Sequence, residues 1–323
     1  MLRTYLILEN SFTGMVKLMV KNLSKNYKDK REKSSSALKR VSLNLDINGI
    51  FTLIGRNGAG KTTFIRIVST ELLPTAGKIC LDGVDVVKTP KDIRSRIAVI
   101  PQEAELIPWM TARENIYAYL LWRGVSFREA KERTNAVLNR FKLEKYADKL
   151  PRKLSGGTKR KVLVALVISS NAKIIFLDEP TTGLDPISRR ELWSILNELK
   201  KEHLIILTTH YLEEAEELSD YIIILNKGKL VKAGTINDIR NAIGYPYAIK
   251  IFGGFKNKMK LHGKVVKKND GTLQVFSDEI SANNLAKKLI KTKVKFSINP
   301  TSLEDIFYML VGDINRGEEN ESE

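Results

Sequence analysis

A short glycine-rich run at residues 55–63 combines residue types and a spacing that suit phosphate binding. It fits the pattern G-x-x-x-x-G-K-[ST] at every fixed position, and the residues that would surround a phosphate are Gly55, Asn57, Gly58, Ala59, Gly60, Lys61, Thr62 and Thr63. Glycines let successive backbone N–H groups approach the anion, and the helix predicted to follow adds the positive end of its dipole. Lys61 would reach the β- and γ-phosphates of a nucleotide, and the Thr62 hydroxyl would bind Mg²⁺. A glycine turn that merely precedes Lys-Thr is the alternative, and the rest of the chain argues against it.

Further polar side chains follow apolar runs that are typical of buried strands. Asp178 and Glu179 end the run 173–177, His210 follows the run 204–207, and Gln102 follows the run 97–100. Ligands gather at the carboxyl ends of parallel strands, so we expect these side chains to meet at one edge of a sheet. Asp178 would hold Mg²⁺, and Glu179 would orient or deprotonate an attacking water, for which an ordinary carboxylate suffices. His210 would contact the γ-phosphate, and Gln102 would contact Mg²⁺ or the water.

Any one of these side chains, taken alone, is more often structural than catalytic. Their joint presence in a workable order indicates phosphoryl transfer from ATP with Mg²⁺ as the metal.

Tyr27, ahead of a charged, serine-rich turn, has two interpretations. It is either a tyrosine at a strand end or a platform on which adenine stacks.

The predicted elements that position these groups indicate an α/β fold, with a phosphate-loop NTPase core built on a mixed sheet. That core spans residues 15–240 and contains a helical insert at about 103–165, in which Thr111-x-x-Glu114 and Ser126-x-x-Glu129 read as capping boxes. The pattern changes near residues 241–246, and residues 245–312 alternate short strands with helices, which predicts a small C-terminal α+β domain. Residues 1–14 look like an N-terminal extension, with Met15 or Met19 as an alternative start, and 313–323 form an acidic tail.

Composition restricts the class of protein less than the motifs do. With 54 Lys+Arg against 37 Asp+Glu, the net charge of +17 favours anionic partners such as nucleic acid or an acidic membrane face. The lysines are spread along the chain, however, so an ordinary solvated surface also fits.

The single cysteine, Cys80, excludes an intramolecular disulfide and a cysteine-built zinc site. Apolar runs fall short of the roughly 20 residues that span a bilayer, and no signal-peptide layout is visible, so we expect a soluble protein unless a partner holds it to a membrane.

The ordered motifs resemble those of the ABC (ATP-binding cassette) ATPases over roughly residues 15–239. The residues that carry the resemblance are the phosphate loop, Gln102, Leu154-Ser155-Gly156-Gly157, Asp178-Glu179-Pro180, Gly183-Leu184-Asp185 and His210. The Ser-Gly-Gly signature is specific, because phosphate-loop proteins in general do not share it. The resemblance implies ATP and Mg²⁺ as cofactors and a head-to-tail dimer that encloses two nucleotides.

In such a dimer, the resemblance assigns roles across the interface. Ser155, Gly156 and Gly157 would grip the γ-phosphate bound to the other subunit's Lys61, and Asp185 would cross to the partner's loop. Tyr27 matches the family's adenine-stacking aromatic. Gln102 and the helical insert would couple to separate transmembrane permease subunits, which places the protein in the cytoplasm, peripheral on the cytoplasmic face of the cell membrane. The motifs are all intact, so a homodimer is expected, with a heterodimer of cassettes as the alternative.

The branch of the family is indicated by weaker signals. The family signature usually continues with Gln, whereas here Thr158-Lys159-Arg160-Lys161 follows, as in the drug- and lipid-exporter branch. The segments 208–215 and 301–307 are similar to that branch as well. The leading hypothesis is therefore the ATPase subunit of an exporter, without a specific nucleic-acid partner. A soluble ABC ATPase acting on the ribosome or nucleic acid is the alternative, and an importer subunit is a third, less favoured interpretation.

Overall fold

The computed structural model describes residues 15–27, 35–252, 262–267, 272–292 and 294–320. Its strands are β1 Val16–Tyr27, β2 Ser35–Ile47, β3 Ile50–Ile54, β4 Ala76–Leu81, β5 Val84–Asp85, β6 Ile97–Ile100, β7 Ile174–Asp178, β8 Leu204–Thr209, β9 Tyr221–Asn226, β10 Lys229–Gly234, β11 Tyr247–Ile251, β12 Lys264–Lys267, β13 Leu273–Ser277 and β14 Phe296–Pro300. Its helices are α1 Lys61–Val68, α2 Pro90–Arg94, α3 Ala112–Trp122, α4 Phe127–Arg140, α5 Gly156–Ser169, α6 Pro186–Leu199, α7 Leu212–Leu218, α8 Ile236–Ala242, α9 Glu279–Lys291 and α10 Leu303–Asn320. The predicted extension at 1–14 and residues 321–323 of the predicted tail lie outside the described residues.

A six-stranded mixed sheet forms the centre of the fold, in the order β10-β9-β3-β8-β7-β6. All neighbouring pairs are parallel except β9 and β10, which form the predicted hairpin. Every residue of β3, β7 and β8 is buried, as expected for parallel strands covered on both faces. The register sets Asp178 beside Thr208 and Ile54 beside Thr209, so the three central strands end at one edge. The predicted α/β fold with a mixed sheet is confirmed.

A second, antiparallel sheet in the order β2-β1-β4-β5 packs against the first. In β2 the predicted alternation holds, because Val41 and Ile47 are buried while Ser42 and Asn44 are exposed. The inward side chains of this sheet join Phe51 of β3 and Phe64 of α1 in one hydrophobic cluster. The antiparallel sheet therefore supports the phosphate loop from one side.

The helical insert packs α3, α4 and α5 around Ile116, Leu120 and Leu163. The capping box predicted at Thr111 is complete, since its hydroxyl accepts the Glu114 N–H while its own N–H donates to the Glu114 carboxylate. The box predicted at Ser126 is only half formed. The Ser126 hydroxyl accepts the Glu129 N–H at 3.4 Å, but the Glu129 carboxylate accepts from Arg133 at 2.6 Å instead of returning to Ser126.

The C-terminal strands form a third, antiparallel sheet in the order β12-β13-β11-β14. Helix α9 covers one face of it with Leu285 and Leu289. Helix α10 returns to pack beside the central sheet, where the fully buried Leu303 and Ile306 cluster with Ile222 of β9. The strands and helices predicted for residues 245–312 are thus present, and their last helix contributes to the core of the preceding segment. In the described part of the chain, no helix is both long and apolar enough to cross a membrane.

Candidate active site

The phosphate loop joins β3 to α1 through glycines that the local geometry requires. Gly58 and Gly60 have φ values of 78° and 102°, in the left-handed region that glycine adopts without a steric penalty. A Cβ on Gly60 would lie 2.5 Å from the Ala37 carbonyl oxygen, and one on Gly55 would lie 2.5 Å from the Leu225 carbonyl oxygen. The glycine pattern is therefore set by the close packing of β2 and β9 around the loop as well as by room for a phosphate.

Lys61 links the loop to the acidic end of β7. Only 5% of its side chain is exposed, and Nζ donates to the Gly55 carbonyl at 2.8 Å. The same nitrogen lies 3.5 Å from Oε1 of Glu179. A buried ammonium group needs such partners because burying an unpaired charge is costly. The structure thus brings the predicted phosphate ligand and the predicted general base into contact.

Glu179 occupies a strained position and is held by its neighbours. Its φ of 48° is uncommon for a residue other than glycine, and such backbone strain concentrates at functional sites. Oε2 lies 2.9 Å from Nδ1 of His210 and accepts the Thr182 hydroxyl at 3.0 Å. An ionised carboxylate can only accept, so His210 then donates from Nδ1 and keeps Nε2 for another partner. The predicted pair of Glu179 and His210 is therefore in direct contact.

The three predicted metal ligands, Thr62, Gln102 and Asp178, all line one cavity of 380 Å³. Asp178 is 2% exposed, and its Oδ1 accepts a hydrogen bond from the Thr208 hydroxyl. Hydroxyl, amide and carboxylate oxygens are hard donors that suit Mg²⁺, which usually takes only one or two carboxylates and shares substrate phosphates. Among the described residues, no group of three or more His, Cys, Asp or Glu side chains could hold a metal alone. The donor set fits Mg²⁺ bound together with a nucleotide.

Tyr27 lies at the end of β1 beside the phosphate loop. Its hydroxyl is 3.3 Å from the Thr63 hydroxyl, and 41% of the residue is exposed. The Nζ atom of Lys25 lies 5.4 Å from the centre of the ring. The partly exposed ring thus lies beside the start of α1, where the adenine interpretation needs it, and the interpretation stays a prediction.

The signature residues lie at the start of α5. Ser155 is the N-cap, and its hydroxyl accepts the Thr158 N–H at 3.2 Å. Gly156 is exposed, and a Cβ there would meet no atom within 4 Å. Among the described residues, no hydrogen bond or ion pair connects residues 155–157 to the phosphate loop of the same chain. The start of α5 is therefore exposed at Ser155 and Gly156.

Asp185 is the N-cap of α6, and its partner Ser188 lies against the signature residue Gly157. The sequence analysis did not identify Ser188. Asp185 accepts the backbone N–H of Ser188 at 3.0 Å and its hydroxyl at 2.6 Å. These bonds, with the hydroxyl bond first, lower the pKa of Asp185. A Cβ on Gly157 would lie 2.3 Å from the Ser188 Oγ, so the second signature glycine makes room for this cap.

Arg160 is a second functional candidate that the sequence analysis missed. From α5 it donates to the carbonyl oxygens of Pro180 at 2.7 Å, Glu179 at 3.2 Å and Asp178 at 3.3 Å. Burial lowers the pKa of this guanidinium group, while the charges of Asp178 and Glu214 oppose that shift. Arg160 therefore holds the backbone of the turn that carries Asp178 and Glu179. Its helical spacing with the buried Leu163, Val164 and Val167 was the available signal.

Comparison with known proteins agrees with this geometry. Residues 38–182 match the family model described as "ABC transporter". The chain is 36% identical over 235 residues to ABC transporter A family member 8 of Dictyostelium discoideum, which covers 72% of this chain and 28% of that protein. It is 34% identical to human phospholipid-transporting ATPase ABCA3 over 71% of this chain and 13% of that protein. The chain thus spans well under a third of the length of these two relatives.

A relative of more similar length is the daunorubicin resistance ATP-binding protein DrrA3 of Streptomyces coeruleorubidus, 35% identical over 70% of this chain and 71% of that protein. Among solved structures, the dimeric post-hydrolysis ATP-binding cassette MJ0796, bound to ADP and Pi, superposes with a TM-score of 0.61 at 28% identity, over 68% of this chain and 98% of that one. An ATP-binding subunit of an ABC transporter gives the same TM-score at 32% identity, over 71% and 93% of the two chains. The predicted resemblance is confirmed: the chain belongs to the ABC transporter family and is one of its ATP-binding cassette ATPases.

Proposed function

We propose that this protein is the ATP-hydrolysing subunit of an ABC exporter and powers transport through separate transmembrane subunits. ATP-driven closure of a cassette dimer is the driving step, and hydrolysis reopens the dimer. The observation that carries the proposal is the convergence of Lys61, Glu179 and His210 at the carboxyl edge of the central sheet, with contacts of 3.5 and 2.9 Å. Phosphoryl transfer asks a protein mainly for positioning and charge neutralisation, and this edge provides both.

Each residue at this edge has one task in the proposed reaction. The Lys61 ammonium group binds the β- and γ-phosphates, and the glycine-rich loop donates backbone N–H groups to them. Glu179 orients the attacking water and accepts its proton, while His210, held by Glu179, contacts the γ-phosphate. Thr62, Asp178 and Gln102 would hold Mg²⁺, which neutralises phosphate charge when bound.

The exposed starts of α5 and α6 support the dimer. Ser155, Gly156 and Asp185 are exposed, and the backbone N–H groups at a helix start favour an anion. The solved structure of MJ0796 with ADP and Pi is dimeric, at a likeness that covers most of the cassette. A homodimer with two complete sites is the simplest arrangement, and a heterodimer of cassettes is the alternative.

An apolar groove beside Gln102 supports the transmembrane partner. A cavity of 450 Å³ lies between β6, α3 and α5, with Ile100, Tyr119, Trp122 and Leu166 among its lining residues. Trp122 is 79% exposed and the nearby Trp109 is 76% exposed. Large exposed aromatic side chains around a groove are typical of a protein interface. We assign this groove to the permease, which places the cassette on the cytoplasmic face of the cell membrane.

The exporter branch is supported by the relatives' names, which refer to phospholipid transport and daunorubicin resistance. A soluble ABC ATPase acting on the ribosome or nucleic acid is the second candidate, favoured by the net charge of +17. The two proposals share the ATPase chemistry and differ in the partner, so an experiment on the partner separates them.

The role of Glu179 is tested by Glu179→Gln, which keeps the shape of the side chain and removes its basicity. We expect the variant to bind ATP, to release no phosphate above background, and to accumulate as a dimer with ATP and Mg²⁺. Phosphate release and size-exclusion chromatography measure these properties. Phosphate release at the wild-type rate would show that Glu179 is not the base.

The same variant tests the partner, because its closed dimer is long-lived. Tagged Glu179→Gln protein with ATP and Mg²⁺ is purified from detergent-solubilised cells of its own host, and the co-purifying proteins are identified. A stoichiometric polytopic membrane protein supports the transporter. Ribosomal proteins or nucleic acid without a membrane protein would overturn the exporter assignment. The matched control adds Trp122→Ala, in the groove, to the Glu179→Gln protein. This double variant should lose the membrane partner without losing ATP binding.

A further inference from the structure

Glu214 is a fully buried carboxyl group that has no role in the reaction proposed above. It lies on α7 with 0% exposure, and its Oε1 accepts the indole N–H of Trp193 at 3.0 Å. Its Oε2 and the hydroxyl of Thr181 are both buried, and neither makes a hydrogen bond with a described residue. Burying polar atoms without partners is costly, and an apolar side chain would fill this space at lower cost.

The position of Glu214 relates it to two turns that carry functional groups. The Thr181 and Thr209 hydroxyls lie close enough to lower the pKa of Glu214, although burial dominates and raises it. Thr209 directly precedes His210, and Thr181 lies two residues after Glu179. The carboxyl group is therefore beneath both turns at once.

Charged groups from two further helices face the same carboxyl. Burial raises the pKa of Glu214, and the positive charge of Arg189 on α6 opposes that shift. Burial lowers the pKa of Arg160 on α5, and the charges of Asp178 and Glu214 oppose that shift. The Arg189 guanidinium group stacks over the Tyr211 ring at 4.3 Å, next to His210. Glu214 is thus hydrogen-bonded to α6 through Trp193 and lies near charged groups of α5 and α6.

We propose that Glu214 is a positioning residue for ATP hydrolysis, because it lies beside both the turn of Glu179 and the turn of His210 and is itself anchored by Trp193. The proposal rests on the roles assigned to Glu179 and His210 above. Trp193 belongs to α6, the helix that starts at Asp185, so its bond to Glu214 also connects α7 to the proposed dimer interface. A shift of about 1 Å in a catalytic group can reduce a rate by about 100-fold, so small displacements of these turns matter.

The test compares three substitutions at Glu214 in steady-state ATPase assays. For Glu214→Ala, and for Glu214→Met, which keeps the volume, we expect kcat to fall by roughly 10- to 100-fold, as for a modest misplacement. KM for ATP should change by less than about twofold, because the phosphate loop is untouched. Glu214→Gln should retain wild-type values, since its amide accepts from Trp193 and can donate to Thr181.

Trp193→Phe supplies the matched control, because it removes only the N–H donor. It should lower kcat in the wild-type protein and have little further effect in Glu214→Met. Wild-type kcat per folded molecule in Glu214→Met, or an equal loss of kcat in Glu214→Gln, would overturn the positioning role. The Glu179→Gln variant is assayed in parallel. Turnover by that variant would overturn the proposed base, whereas an active Glu214→Met protein overturns only the present inference.

Discussion

At the residue scale, Arg160 shows how a departure from the usual signature is used in this chain. The family signature usually continues with Gln after the glycines, and here Thr158, Lys159 and Arg160 follow. The Arg160 side chain is 9% exposed and donates to three consecutive carbonyl groups around Asp178 and Glu179. Those carbonyls belong to a turn that contains Glu179 in the left-handed region, and the Glu179 carbonyl also accepts the Thr182 N–H at 3.3 Å. Arginine supplies a rigid fork of donors that a lysine lacks.

We expect Arg160→Met to destabilise the protein by about 1–3 kcal/mol, the cost of a buried carbonyl left without a donor, because the Pro180 carbonyl loses its Arg160 donor while the Glu179 carbonyl keeps the Thr182 N–H at 3.3 Å. ATPase activity should fall as well, because the turn of Asp178 and Glu179 loses its support. Urea unfolding and phosphate release measure the two effects. Lys159→Met is the control and should change stability by less than about 0.5 kcal/mol. Equal stability of the two variants would contradict the role given to Arg160.

At the scale of elements, the helical insert contains two helix starts with the same sequence pattern and different hydrogen bonds. Thr111 and Glu114 satisfy each other's backbone N–H groups, and these bonds lower the pKa of Glu114. At Ser126 only the forward bond is present, because Glu129 is engaged by Arg133 one turn further along α4. A competing partner at i+4 therefore decides whether the box closes.

Because the two caps differ in their hydrogen bonds, we expect two matched substitutions to reduce the free energy of unfolding by different amounts. Thr111→Ala should reduce the free energy of unfolding by about 1–2 kcal/mol, since it removes the hydroxyl that accepts the Glu114 N–H and donates to the Glu114 carboxylate. Ser126→Ala should cost about 0.5–1 kcal/mol, because the Glu129 pair with Arg133 survives. Thermal or urea unfolding of both variants gives the comparison. A larger loss for Ser126→Ala would contradict this reading of the two caps.

At the scale of the whole molecule, one polar junction attaches the C-terminal segment to the catalytic core. Arg240 of α8 donates to the Thr301 carbonyl at 2.7 Å and to Glu216 of α7 at 2.6 Å. Glu216 also accepts the Leu303 N–H at the start of α10 at 3.2 Å. Because α7 begins just after His210, this junction connects α10 to the helix that follows His210.

We expect Glu216→Ala to loosen α10 while the nucleotide site stays folded. The lost bonds are partly exposed, so a local opening cost of about 1–2 kcal/mol is expected, which corresponds to roughly 5- to 30-fold faster amide exchange in α10. Hydrogen exchange with mass spectrometry measures it. Glu217→Ala, an exposed neighbour on the same helix, should leave α10 unchanged. Unchanged exchange in Glu216→Ala would show that apolar packing alone holds α10.

The family, the fold class and the ordered motifs were predictable from the sequence, because each depends on short-range patterns. Apolar runs marked β3, β7 and β8, and glycine spacing marked the loop between β3 and α1. Polar residues at strand ends then identified the candidate site. The division of the chain into domains and the roles of the site residues remain predictions.

The tertiary structure alone decided which side chains meet. The contacts of Lys61 with Glu179, Arg160 with the 178–180 carbonyls, and Glu214 with Trp193 join residues that are distant in the sequence. They depend on parallel-strand register and on helix packing, which no local periodicity encodes. The separate antiparallel sheet and the return of α10 to the core have the same origin. The sequence by itself thus determined the chemistry that the chain carries, and the packing of distant segments decided how that chemistry is held.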